Sequence, residues 1–148
     1  MRKFGYLLLA VVTFVNFSCS DKCSDADAPP LASLFVTFVD EATDENVFEN
    51  ERFTANQISI LLEDEQEVPF NFLTNTNSIH IVPLRPLAEG NTIFITLNNP
   101  ETDDVVTIEV QFDIETQNQE CFTLNKVVNV QTPNHDSEVD NDIYQIKI

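Results

Sequence analysis

The chain has 148 residues and a formal net charge of −18, from 25 acidic residues against 7 basic ones. Such a charge repels nucleic acid and anionic lipid headgroups, which removes both as electrostatic partners and favours a heavily solvated surface. Two glycines and no tryptophan leave little material for a phosphate-cradling loop or a broad stacking platform for sugars.

The chain opens on a short basic start, Met1, Arg2 and Lys3, followed by the apolar run "FGYLLLAVVTFVNF" from Phe4 to Phe17. That run is too short to span a bilayer comfortably but has the length of a signal-peptide core. Small Ser18 and then Cys19 follow it. A basic start, an apolar core and a small residue directly before cysteine resemble the lipobox of bacterial lipoproteins. The form is the looser one of Bacteroidota lipoproteins, since Asn16 and Phe17 stand where leucine and a small residue are usual. The resemblance implies cleavage before Cys19 and lipid on its thiol, with residues 1–18 as signal peptide. It implies an outer-membrane address, with the membrane as partner through that lipid. An ordinary secretory signal cut near Ser18 or Ser20 is the alternative, with Cys19 a plain thiol. Cys23 follows Lys22 and Asp21, so it lacks the small neutral neighbour that the lipid site needs. "SDK", Ser20 to Lys22, resembles in part the lysine-and-acid signal of surface lipoproteins, which leaves a periplasmic or surface side open.

With Cys19 acylated, Cys23 and Cys121 are the two remaining thiols. In an oxidising compartment such a pair is expected to form a disulfide. Closing a loop of this length stabilises by at most about 4–5 kcal/mol in the chain-entropy model. Residues 19–30 then read as the lipidated cysteine and a tether, because Ser20 to Pro30 is Ser, Asp, Ala and Pro without periodicity.

From residue 31 the pattern becomes period two, which predicts a single β domain over 31–148. Leu34 to Val39 is apolar on both faces and is expected to be central. In "DEATDENVFENERF", Asp40 to Phe53, a short helical turn is expected at most. Ile58, Ile60 and Leu62 alternate, as do Val68, Phe70 and Phe72. Ile79 and Ile81 make a short strand that Pro83 ends, and Ile93, Ile95 and Leu97 make another. Val105 to Glu115 is the clearest case. Val106, Ile108, Val110, Phe112 and Ile114 share one face, while Thr107, Glu109, Gln111, Asp113 and Glu115 share the other. Phe122, Leu124, Val128 and Val130 form a late strand interrupted by Lys126, and Tyr144, Ile146 and Ile148 close the chain. The breakers "EDEQE", "TNTN", "NNPETDD" and "TPNHDSEVDND" separate these segments. The fold class is all-β: an antiparallel two-sheet sandwich, immunoglobulin-like or a similar Greek key, of about 7–8 strands.

Two resemblances accompany that reading. "LRPLAEGNTIFITL", Leu84 to Leu97, resembles the approach to a late strand of immunoglobulin-like and fibronectin type III-like domains, although the corner tyrosine is missing and Ile93 or Phe94 stands near its place. "FVTFVDEATDENVFEN", Phe35 to Asn50, is similar to the first strand and following loop of small Bacteroidota lipoproteins with a β-sandwich and a late cysteine near Cys121. That second resemblance implies location and architecture but no activity.

Chemistry is sparse. Gly90 is the one glycine beyond the signal segment, and no Gly-x-Ser-x-Gly elbow occurs. His80 lies between Ile79 and Ile81 and is expected on the outward strand face, while His135 is expected in a polar loop. The phenylalanines beyond the signal fall mainly on apolar faces and are core. The acidic clusters are the remaining lead. Within "DSEVDND", Asp136, Glu138, Asp140 and Asp142 are candidate calcium ligands, since calcium takes six to eight oxygens and loops can gather them. A carboxylate-pair hydrolase is a third reading. The expectation is a lipid-anchored binding or structural module that is not an enzyme and has no cofactor besides the calcium candidate. Its partner is a protein or glycan, and no nucleic acid.

Overall fold

Among the described residues, alternation along short segments resolves into nine strands packed as two sheets. The computed structural model describes residues 31–82, 90–118 and 122–148, so the lipid site Cys19 and the pair Cys23 and Cys121 lie outside the described residues. The strands are β1 (Leu34–Val39), β2 (Ile58–Leu62), β3 (Phe70–Leu73), β4 (Ser78–Ile81), β5 (Asn91–Asn99), β6 (Asp104–Asn118), β7 (Thr123–Gln131), β8 (Ser137–Asp140) and β9 (Ile143–Lys147). One sheet has the order β3-β4-β1-β9-β8 and the other β2-β5-β6-β7. The all-β two-sheet sandwich expected from the periodicity is the architecture found.

The core lies between the sheets and is built from the apolar half of each alternation. Leu34, Val36 and Phe38 of β1 and Ile79 and Ile81 of β4 enter it from the first sheet. Ile93, Ile95 and Leu97 of β5 meet Val110, Ile108 and Val106 of β6 as direct cross-strand partners in the second. Cross-strand apolar pairs of this kind fix register, because a one-residue slip would turn every buried side chain to water. β1 is the middle strand of its sheet, as its two apolar faces predict.

Four features add to the sequence expectation, three as departures from it and one, the turns at 40–53, within it. First, β1 pairs with β4 in antiparallel fashion but with β9 in parallel, Phe35 to Val39 against Ile143 to Lys147. The first and last strands are thus neighbours, which no local pattern encodes. Second, the segment 40–53 holds turns and no helix; a single 3-10 turn follows at Ala55–Gln57. Its apolar Val47 and Phe53 are fully buried, and Val47 N–H donates to the Phe38 carbonyl at 3.1 Å. The segment therefore takes the edge of β1 that β4, which stops opposite Val36, leaves open.

Third, β7 carries a bulge. Gln111 pairs with Gln131 but Asp113 pairs with Val128, and Asn129 has φ 53°. The extra residue shifts the alternation, so Val127 is buried and Val130 packs against the core, while Val128 belongs to the other face. Asn suits this left-handed position because its short side chain tolerates it and bonds locally. Here Asn129 Nδ2 donates to Asp113 Oδ2 at 2.9 Å, and Gly90 N–H donates to Asp113 Oδ1 at 2.7 Å. Fourth, the stretch expected as one long acidic connection contains β8, joined to β9 by Asn141 and Asp142, with φ of 50° and 64°. Two consecutive positive φ values are those of a type I′ hairpin turn.

Candidate functional site

The outer face of the first sheet carries an open groove of about 840 Å³. Its floor is Thr37 and Val39 of β1 with Ile143 and Gln145 of β9. One wall is Asp44, Glu45, Asn46, Glu49 and Asn50, beside Thr76 of the β3–β4 turn, and the other is Asp140 and Asn141 at the β8–β9 turn. Among the described residues, four carboxylates line it and no lysine or arginine does.

The wall at 40–50 is held by side chains that replace regular pairing. Asp40 Oδ1 accepts from the N–H groups of Ala42 and Thr43, both at 3.0 Å, and from the Thr43 hydroxyl at 3.2 Å. This Asx-type turn leads into Asp44 at φ 55°. Asn46 Oδ1 accepts from Phe48 N–H at 2.9 Å, and its Nδ2 donates to Thr37 Oγ1 at 2.8 Å. Thr37 Oγ1 in turn donates to the Asn77 carbonyl at 2.7 Å. Asn77 Nδ2 donates to Glu49 Oε1 at 3.0 Å, so the β3–β4 turn is tied to the wall. Beneath, Arg52 bridges Asp40 Oδ2 at 2.9 Å and Asp104 Oδ2 at 2.8 Å, joining the two sheets at this end.

Charge sets the character of the groove. Lys147 Nζ reaches Asp44 Oδ1 at 3.0 Å, and this contact raises the lysine pKa above its ordinary value. The hydrogen bonds to Asp40, from Thr43 N–H first and Ala42 N–H next, hold its carboxyl below the usual carboxylate value. Asp113 is lowered too, by Asn129 first and Gly90 second. A carboxyl whose folded pKa is depressed contributes stability above its unfolded value, about 3.9, and loses it as pH falls through the folded one. The double variant Asp40→Asn with Asp113→Asn is therefore expected to have a lower urea midpoint than the parent at neutral pH. The gap should close as pH drops below about 4. A gap independent of pH across that window would show that neither carboxylate is stabilised by its hydrogen bonds.

The histidines take structural contacts. His80 sits on the outward face as its spacing predicts, with its ring stacked on Phe35 at 4.6 Å and Nε2 at 3.0 Å from Ser33 Oγ. His135 Nδ1 donates to the Lys147 carbonyl at 3.0 Å, which pins the loop before β8 against the end of β9.

Of the four calcium candidates, Glu138 and Asp140 lie on β8, Asp136 precedes it and Asp142 is in the turn. A strand separates same-face neighbours by about 7 Å and sends the intervening side chains to the opposite face, so these acids are strung out along an edge. Among the described residues, no group of three or more His, Cys, Asp or Glu side chains is placed to hold a metal ion. Only Asp140 of the four lines the groove. Sequence reasoning missed Thr37, Asn46 and Gln145, and weighed Asn141 only as a companion of the acidic calcium candidates. The signals that would have found them are the apolar pair Val47–Phe48 inside an acidic run, which anchors the wall, and Asn141–Asp142 between "SEVD" and "IYQI", which marks a hairpin.

No protein-family model, no curated protein and no solved structure matches the chain. Among the described residues, no helix is long and apolar enough to cross a membrane.

Proposed function

We propose that this chain is a lipid-anchored, extracytoplasmic binding module whose outer groove takes a cationic, hydrogen-bonding ligand. The observation that carries the reading is the groove between the 40–50 wall and the β8–β9 turn: the described residues that line it bring four carboxylates and four side-chain amides and no basic side chain. In a shallow site whose carboxylates outnumber the Lys147 ammonium beside Asp44, field lines concentrate and raise the local concentration of an oppositely charged ligand. The amides of Asn46, Asn50, Asn141 and Gln145 add directional donors and acceptors. Anchoring through Cys19 is the reading that the Ser18–Cys19 junction supports. A surface or periplasmic address suits a binding module, and the composition of Ser20 to Pro30 is that of a short tether between lipid and domain.

The test uses tetralysine as probe and tetraglutamate as control, followed by calorimetry at low and high salt. Tetralysine is expected to bind, with affinity falling on the order of tenfold when salt rises from about 20 mM to about 200 mM, because exposed ion pairs are screened. Glu49→Gln with Asp140→Asn should weaken it further. Equal affinity for both peptides, or none for either, overturns the cation reading. Retention in the detergent phase that is lost in Cys19→Ala checks the anchor in the same preparation.

A further inference from the structure

The groove ends at β8, and β8 is the edge of its sheet. We infer that this edge is a strand-addition site for an extended peptide that alternates Lys or Arg with apolar residues; the inference rests on the reading of the groove as a cation-binding face.

The backbone geometry comes first. Asp140 and Ile143 flank a two-residue turn, and Lys147 N–H donates to the Asp136 carbonyl at 2.9 Å. In an antiparallel ladder, hydrogen-bonded pairs alternate with non-bonded ones. Both observations place residues 136, 138 and 140 as the bonded set toward β9. The N–H and C=O groups of Ser137 and Val139 therefore point away from the sheet. Among the described residues no strand lies beyond β8, and all four of its residues are exposed. An open ladder edge of this kind is the template that extended peptides use.

Side-chain chemistry then selects the occupant. Glu138 and Asp140 are opposite Gln145 and Ile143 and share the groove face with them. Ser137 and Val139 are opposite Ile146 and Tyr144 and share the inner face, where Val139 is 57 % exposed. A strand added to β8 has its own side chains alternating in step. One set would meet the two carboxylates and the acidic groove, and the other would cover Val139 beside Tyr144. Cationic residues at alternate positions with apolar residues between them satisfy both. The same two carboxylates repel a second copy of this acidic chain, which keeps the edge free for a basic partner.

The experiment uses the full chain and three synthetic heptapeptides: alternating Lys-Val-Lys-Val-Lys-Val-Lys, a block peptide of the same composition, and alternating Glu-Val. The alternating basic peptide should bind at least tenfold tighter than the block peptide and slow amide exchange at Ser137 and Val139. Val139→Pro removes one outward N–H without touching the β9 ladder, and Pro is tolerated on edge strands; it should lower affinity at least tenfold with the circular dichroism unchanged. If that variant misfolds, the exchange protection in the unaltered chain decides. Equal binding of the two basic peptides with no protection at Ser137 and Val139 would overturn strand addition and leave the groove reading standing. No binding of either would overturn both. Protection at those two amides before any peptide is added would show that a segment of the chain itself occupies the edge, which also overturns the inference.

Discussion

Phe38→Ala is expected to destabilise the domain by about 3–5 kcal/mol, the range for phenylalanine truncation in a close-packed core. Phe38 is fully buried. Its ring meets Phe48 edge-on at 6.3 Å, and Phe48 meets Phe72 in the same way at 5.0 Å. The three rings come from β1, from the 40–53 segment and from β3, so this cluster is what holds the groove wall onto the sandwich. Loss of Phe38 removes both its own transfer energy and the surface against which Phe48 packs. Against a typical net stability of about 5–15 kcal/mol, this lowers the melting temperature by roughly 10 °C or more. Phe35→Ala provides the internal contrast. Phe35 lies on the outer face of the same strand and stacks on His80, so its loss is expected to cost about 0.5–1.5 kcal/mol. Chemical denaturation of both variants checks the pair. Equal losses would contradict the assignment of the two faces of β1.

The second large effect concerns the parallel pairing of β1 with β9. Tyr144→Pro is expected to leave little folded protein at room temperature, whereas Tyr144→Ala folds with a lower midpoint. Ile148 N–H donates to the Val39 carbonyl at 2.9 Å, so the even-numbered residues of β9 face β1 and Tyr144 is one of them. Proline there removes a ladder donor in a strand flanked on both sides, by β1 and by β8. It also leaves a β1 carbonyl without its partner. An unsatisfied buried group costs about 1–3 kcal/mol, and the ring adds steric conflict in a central strand. The alanine variant subtracts the loss of the tyrosine side chain, so the difference between the two isolates the ladder. If the two variants had the same denaturation midpoint, β9 would not be bonded to β1 at this position.

Much of the fold was legible because the physics involved is local. Val106 to Ile114 alternate without a break, and a helix would waste half of those apolar residues. The same argument located β2, β3, β4, β5 and β9, and a run apolar on both faces located β1. It located β7 but misassigned its faces, because Asn129 adds one residue and Val127 and Val130, three apart, both turn inward. A bulge is one backbone angle, and nothing in the pattern of apolar residues marks it. It failed for β8, whose residues are all exposed; a strand that buries nothing leaves no hydrophobic period to read. The candidate site divides in the same way. Asp140 and the acids at 44, 45 and 49 belong to stretches whose charge was visible in the sequence. That they border one groove depends on β1 and β9 being neighbours.

The sequence by itself determined the all-β class, the positions of most strands, the faces of β1, β5 and β6, and the strongly acidic surface. Each of these follows from side-chain chemistry acting within a few residues. Only the tertiary structure decided the parallel β1–β9 pair, the folding of residues 40–53 against the free edge of β1, and the groove they enclose with the β8–β9 turn. Those arrangements join segments about a hundred residues apart, as when Lys147 reaches Asp44. They are set by burial of Phe38, Val47 and Ile146 in one shared core, a condition that no single stretch of sequence can state.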